Sequence, residues 1–431
     1  MNVYNLVSLS GLAALMAVAW AFSEDRRRVN WRVIGWGTGL QLLLGGVVFL
    51  APGSQAVFLW SNRVVLRLLD TAQAGQKFLF GNLAEAKSVG FVLATQALPI
   101  IIFFSALMGL LYYWRVMPVV IRAFAYVFSR LMRVSGGESL CVASNIFVGI
   151  ESVTAVRPLL ERMTRSELCT ILTAGMATVA SSTMGVYVLF LADPFPSIAG
   201  HLVSASIMSA PAALIMSKLL VPESGQPETL GLAVSIGRSP EDTSWIDAVV
   251  NGAMAGLRLV AGVCALLIAF LGLVALADCL LGAATGRTLG VGLTLTKLLG
   301  WVFYPFALCM GVPPGDAGWA GTLLGQRFIM TEVPAYQALG ELMRSGRVAD
   351  PRSAVIVAYA LCGFAHVASL AIFVGGTAAL APGRRSDLVS VGPRALLAAT
   401  LACLMTGAVA GACFHGGATV LTTRPPAAGV P

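Results

Sequence analysis

Charge is scarce in this chain. Of 431 residues only 11% are Asp, Glu, Lys or Arg, while 57% are hydrophobic. A soluble domain carries about 25% charged residues, so a water-facing surface of ordinary size is excluded. Histidine is scarcer still, and none of the three begins an HExxH, which leaves no zinc-hydrolase signature. No Gly-rich P-loop is present to power work with ATP, and no other motif supports an enzyme. The eight cysteines show neither CxxC nor Cys/His spacing, and most (Cys264, Cys309, Cys362, Cys403) lie in apolar runs. There they act as small hydrophobes, so no disulfide, metal site or organic cofactor is expected. The net charge of +8 comes without a basic patch interleaved with aromatics. Nucleic acid is therefore excluded as a partner, and the positive charge reads as membrane orientation.

What the chain has is long apolar runs, 46 Gly and 20 Pro. Runs of this length cross roughly 30 Å of hydrocarbon. Glycine and proline at this frequency fit helices that pack closely and break where they line a cavity. No positive charge precedes the first run, and Arg26, Arg27 and Arg28 follow it, which marks a retained first helix rather than a cleaved signal. Spans are expected at about 4–22, 33–50, 90–114, 168–191, 201–220, 257–281, 354–380 and 395–413. Residues 51–89 are too polar to span, and 117–133 form a basic amphipathic helix on the cytoplasmic face. Residues 222–245 read as a polar cytoplasmic loop, and 295–311 as an outer or interfacial helix. Arg344, Arg347 and Arg352 fall on the outer side of this topology, against the general bias.

Two segments are too short and polar to span: 138–156, entered from inside, and 315–342, entered from outside. Each is a re-entrant hairpin bearing a carboxylate, Glu151 or Glu332. Each is followed, about thirty residues on, by a polar small-residue break. The first is Ala180-Ser181-Ser182-Thr183-Met184-Gly185, the second Gly363-Phe364-Ala365-His366-Val367-Ala368-Ser369. Polar side chains at membrane depth cost several kcal/mol and mark substrate or ion pathways. Opposite entry directions are what an inverted repeat produces, with its site at the midplane. The fold class is therefore an all-α polytopic membrane protein with about eight transmembrane helices plus two opposed re-entrant hairpins. A transporter fits this plan better than a passive channel, because hairpins closing from opposite faces suit alternating access.

These blocks resemble the concentrative nucleoside transporter family. The matching stretches are SNIFVG, RPLLERMTRSEL and AGMATVASSTMGVY in the first half. The second half adds LLGWVFYPFALCMGV, GQRFIMTEVPAY, YALCGFAHVASLAIFVGG and LAPGRRSDL, so that the likeness runs over 91–412. The resemblance implies cation-coupled (Na+ or H+) nucleoside uptake across a bacterial inner membrane by an elevator-type homotrimer. It divides the chain into a helix pair with an outer segment (1–90) and a scaffold helix with the first, gate-like hairpin repeat (91–220). A cytoplasmic loop (221–256), a C-terminal transport repeat (257–415) and a disordered tail (416–431) complete it.

Carried over by position, Glu332 and Ser369 are implied ribose partners. Glu151, with Ile150, falls on the nucleobase side. Asn145, the backbone of Val148, Ser182 and the backbone of Thr183 are implied Na+ ligands. Three departures accompany the match. The Gly-Gln-Thr-Glu of the family is Gly149-Ile150-Glu151 here, one residue shorter; its Asn in Gly-Phe-Ala-Asn is His366; and its Asn-Glu-Phe-Val is Thr331-Glu332-Val333-Pro334. The ribose carboxylate survives while base recognition is rebuilt, so a modified nucleoside or another polar metabolite is an alternative cargo. A non-transporting sensor on the same frame is the alternative from another class.

Blander readings exist for several of these residues. Glu151 can pair with Arg157 or Arg162. His366 can be a satisfied core histidine, or take part in proton coupling. Asn145 and Ser182 can serve exposed backbone. Phe328, Tyr336 and Phe364 can stack on a base or merely pack, and Glu138 can be a carboxylate held by a helix dipole.

Overall fold

The apolar runs fold as helices, which keep backbone hydrogen bonds inside the segment where hydrocarbon offers no other partner. The computed structural model describes residues 2–50, 54–232, 244–289 and 293–415. The helices are α1 (Val3–Ala21), α2 (Trp31–Phe49), α3 (Ser54–Phe80), the short α4 (Ala86–Val89) and α5 (Leu93–Gln96), α6 (Pro99–Tyr113), α7 (Val116–Met132), α8 (Gly136–Val148) and α9 (Arg165–Ala177). They continue as α10 (Ser181–Leu191), α11 (Ile198–Leu220), α12 (Trp245–Leu289), α13 (Leu295–Cys309), α14 (Pro314–Ile329), α15 (Glu332–Arg344), α16 (Pro351–Leu361), α17 (Val367–Leu380) and α18 (Arg385–Cys413). Among the described residues the only strand-like pairing is an isolated bridge between Ser135 and Leu230.

Among the described residues, seven segments are long and apolar enough to cross a membrane. The expected span at 354–380 is instead two shorter apolar helices, α16 and α17, separated at the Gly363 break. The segment at 165–191 is likewise two helices, α9 and α10, parted at Thr178–Ala180. Both hairpins are present. The first is α8 with a 3-10 arm, Gly149–Arg162, which runs past the expected end at Val156. The second is α14 with α15. α12 is one helix that begins at Trp245, well before the apolar run at Leu257. The expected disordered tail, 416–431, and part of the expected loop, 233–243, lie outside the described residues.

Local chemistry sets the ends. Ser135 and Glu138 form a reciprocal capping box on α8, and Thr164 with Glu167 forms another on α9. Pro99, Pro314 and Pro351 sit in the first turns of α6, α14 and α16, where a missing N–H costs nothing. α9, α10, α11 and α18 form the buried centre, whereas α12 packs along α6 and turns most of its apolar surface outward.

Two buried polar hubs tie distant segments together. Arg352 donates to Asn5 Oδ1, Ser8 Oγ and the carbonyls of Tyr4, Gly311 and Gly411, which bolts α1 to α16 and α18. Asp316, at the base of the second hairpin, accepts from Trp319, Ser353 and the backbone N–H groups of Ala349 and Asp350. Burial works to raise its carboxyl, but these hydrogen bonds outweigh burial and hold it below the usual carboxylate range. A depressed folded value means stability present above the unfolded pKa of about 3.9 and lost as pH falls through the lower folded value. Asp316→Asn should therefore lower the melting temperature at pH 6 and flatten its fall between pH 5 and pH 3. An unchanged acid slope in this variant, measured by intrinsic fluorescence in detergent, would remove Asp316 from that role.

Candidate functional site

Each hairpin is stitched to the break in the helix that follows it. In the first half, Thr178 Oγ1 donates to the carbonyls of Asn145 and Ala174. Ser206 Oγ lies 3.1 Å from the carbonyls of both Ile146 and Val179. The hairpin turns at Gly149, whose φ of +74° suits glycine, and a Cβ there would stand 3.0 Å from that of Ala180. This contact brings Asn145 and Val148 against the start of α10, where Ser182 and Thr183 lie. Asn145, Ser182 and Thr183 are all buried. Among the described residues Asn145 Nδ2 reaches only Cys141 Sγ, at 3.8 Å, and its Oδ1 has no hydrogen-bond partner. A buried amide oxygen without a partner, beside a helix break rich in carbonyls, is the donor set a small hard cation takes. Backbone for Ile150 and Glu151 lies in the 3-10 arm, but their side chains fall outside the described residues. Arg162 pairs with Glu228, at 2.7 Å.

In the second half, Arg327 Nη1 donates to the carbonyl of Ala360 and Tyr336 donates to that of Ala358. Glu332 opens α15, where the helix N-terminus favours a carboxylate. It is 3% exposed, against 4% for His366 and 2% for Ser369. Its Oε1 accepts from the Tyr187 hydroxyl at 2.6 Å, and its Oε2 lies 3.4 Å from His366 Nε2. That second oxygen and the neighbouring Thr331 Oγ1 are buried without hydrogen-bond partners. His366 caps α17: its Nδ1 accepts the Ser369 N–H, while Ser369 Oγ accepts the His366 N–H. With Nδ1 spent as an acceptor, the proton of the neutral ring is assigned to Nε2, which faces Glu332. Ser369 Oγ itself donates to the carbonyls of Phe364 and His366. Its hydroxyl thus serves the helix break in this state, rather than pointing at Glu332.

The remaining candidates resolve as packing. Tyr336 stacks on Tyr187 with ring centroids 4.5 Å apart, and Phe328 packs on Phe303. Glu138 caps α8 and pairs with Lys218 at 2.5 Å. Two buried residues escaped the sequence reading: Tyr187, and Arg327, which has 0% exposure and leaves Nε and Nη2 unpartnered. Arg327 carries a signal, being a charge in an apolar stretch five residues before Glu332. Tyr187 carries only its place, six residues into the helix after the first break.

Three family models match the chain. The N-terminus of Na+ dependent nucleoside transporters fits residues 10–83, a nucleoside-recognition gate fits 94–194, and the C-terminus of the same transporters fits 201–411. The chain is 40% identical over 413 residues to the uncharacterized transporter YutK of Bacillus subtilis, covering 95% of this chain and 99% of that one. It is 37% identical over 421 residues to mouse solute carrier family 28 member 3, covering 94% of this chain and 58% of that longer protein. Among solved structures, CNTnw in an inward-facing substrate-bound state superposes with a TM-score of 0.87 at 35% identity, over 95% of this chain and 98% of that one. An outward-facing form of CNTnw also gives 0.87.

Ser369→Ala should cost about 0.5–1.5 kcal/mol, since it removes the N3 side-chain hydrogen bond of the capping box. The loss should appear as a lower melting temperature in the absence of any substrate. An unaltered substrate-free transition would return the Ser369 hydroxyl to a purely ligand-facing role.

Proposed function

The chain belongs to the Na+-dependent, concentrative nucleoside transporter family, and from that premise we propose that it takes up nucleosides across a bacterial inner membrane, driven by a cation gradient. It is a multi-pass membrane transporter and not an enzyme. The observation that carries the reading is the buried Glu332 carboxylate, with one oxygen unpartnered and facing His366 Nε2. An orphan acceptor at this depth is costly unless something completes it. A ribose hydroxyl does so, donating to Glu332 and accepting from His366 in one contact.

Sodium is the coupling ion we favour. Asn145 Oδ1 is a buried oxygen without a hydrogen-bond partner, on the hairpin whose tip at Gly149 meets Ala180, just before Ser182 and Thr183. The His366 ring, used as a neutral cap through Nδ1, offers no ready place for a coupling proton. The two hairpins, each tied to a broken helix, form the body that moves in an elevator step past α6 and α12, within a homotrimer. Outward- and inward-facing structures of CNTnw support alternating access for that protein, and similarity extends the idea to this one. A modified nucleoside is the second reading for the cargo. It is favoured by His366, a fixed donor where the family places an asparagine able to donate or accept.

The test is uptake of tritiated uridine and adenosine into proteoliposomes under an inward gradient of Na+ or of choline. Na+-dependent accumulation is expected for the wild type. Glu332→Gln should lose at least tenfold in uptake while still inserting and running as the same oligomer; wild-type uptake would remove Glu332 from the ribose site. His366→Asn should shift the substrate profile toward ordinary nucleosides, and an unchanged profile in a panel of modified and unmodified nucleosides would leave His366 a structural cap.

A further inference from the structure

Tyr187 is buried on α10, and uptake as set out above makes no use of it. A buried tyrosine hydroxyl needs a partner, and satisfying that need would be a sufficient account if its partner were an ordinary carbonyl. Its partner is instead Oε1 of Glu332, at 2.6 Å, the carboxylate assigned to the ribose. Four residues earlier on the same helix is Thr183, placed at the candidate cation site. Residues four apart share a helix face, so Thr183 stands one turn before Tyr187 on the same side of α10. Its hydroxyl donates to the Ala180 carbonyl in the helix break, at 3.0 Å. On the far side, Tyr336 sits four residues after Glu332 on α15 and stacks on the Tyr187 ring at 18°. Two short ladders, Thr183–Tyr187 and Glu332–Tyr336, therefore face each other across α10 and α15.

We propose that Tyr187 is the positioning residue that couples the cation site to the ribose carboxylate. This rests on the reading of the chain as a Na+-coupled nucleoside carrier. The first turn of α10 follows an unwound segment, so its placement depends on what fills the gap between that segment and the tip of the first hairpin. A cation there fixes Ser182 and Thr183, and with them the phenol one turn further on. The phenol holds Oε1 of Glu332, which aims Oε2 at His366 and at the substrate. Without that bond the carboxylate turns freely, and cation occupancy no longer alters its aim. The linkage is reciprocal: nucleoside bound at Glu332 steadies Tyr187 and strengthens cation binding by the same factor.

Tyr187→Phe tests this while keeping the ring and its stack on Tyr336. Equilibrium binding of tritiated uridine and adenosine would be measured in saturating Na+ and in choline, on purified full-length protein. The readout is the ratio of the two affinities, which a merely structural loss would not move. For the wild type the ratio should fall within the 5–150-fold span usual for linked sites; in the variant it should drop below about threefold. Thr183→Val should reduce it in the same direction, and the double variant should fall no further than Tyr187→Phe alone. A variant that binds more weakly but keeps the wild-type ratio overturns the proposal. A wild type whose nucleoside binding ignores Na+ overturns the sodium-coupled reading itself, and the proposal with it.

Discussion

Two helices break in the middle of the apolar layer, and the rest of the architecture answers that fact. A break strips hydrogen bonds from the backbone where no water is available to replace them. Each exposed carbonyl must find a donor, and hairpin and break, ending at the same depth, exchange donors and carbonyls. Thr178 and Ser206 join the break after α9 to carbonyls of the first hairpin, while Arg327 and Tyr336 reach carbonyls of α16 from the second. The breaks also meet each other. A Cβ on Gly363 would stand 2.9 Å from the carbonyl of Ala177, so only a glycine allows this approach. Hairpins, breaks and small residues are thus one device for holding irregular backbone in hydrocarbon.

That device leaves a remainder of polar groups that no protein partner satisfies, and the remainder differs between the halves. At the first break it is an amide oxygen, Asn145 Oδ1. At the second it includes a carboxylate oxygen and a hydroxyl, Glu332 Oε2 and Thr331 Oγ1, with two Arg327 nitrogens on the same hairpin. Neutral oxygens among carbonyls suit a bare cation, whereas a carboxylate beside a fixed imidazole donor suits a hydroxyl. Arg327, wholly buried on the same hairpin as Glu332, supplies an opposite charge within the second half.

Much of this was legible in the sequence because hydrocarbon makes polar residues conspicuous. Glu332, His366 and Asn145 were marked by type and by apolar surroundings, and the structure brings Glu332 and His366 to 3.4 Å. Spans and hairpins followed from run length. Harder to read was whatever depends on which atom is already spent. Ser369 was marked as a ligand, yet its hydroxyl and N–H belong to the cap of α17. Histidine as an N-cap is uncommon, so nothing in the string Ala365-His366-Val367 signalled that Nδ1 would be used there. Tyr187 was invisible for the opposite reason: a tyrosine in an apolar helix is ordinary, and its importance comes only from a residue 145 positions away.

The inverted repeat explains why the two halves could diverge in chemistry without losing the frame. Stitching relies largely on backbone carbonyls, which any sequence supplies, so side chains at the hairpin tips are free to specialise. The first hairpin winds its second arm as a 3-10 helix. The second keeps two α-helical arms around Glu332. A 3-10 arm is longer per residue than an α-helical one, at about 2.0 Å rise against 1.5 Å. What fixes the first tip is the close approach of Gly149 to Ala180, which a side chain at 149 would obstruct, so the residues that flank the tip are left to carry the chemistry.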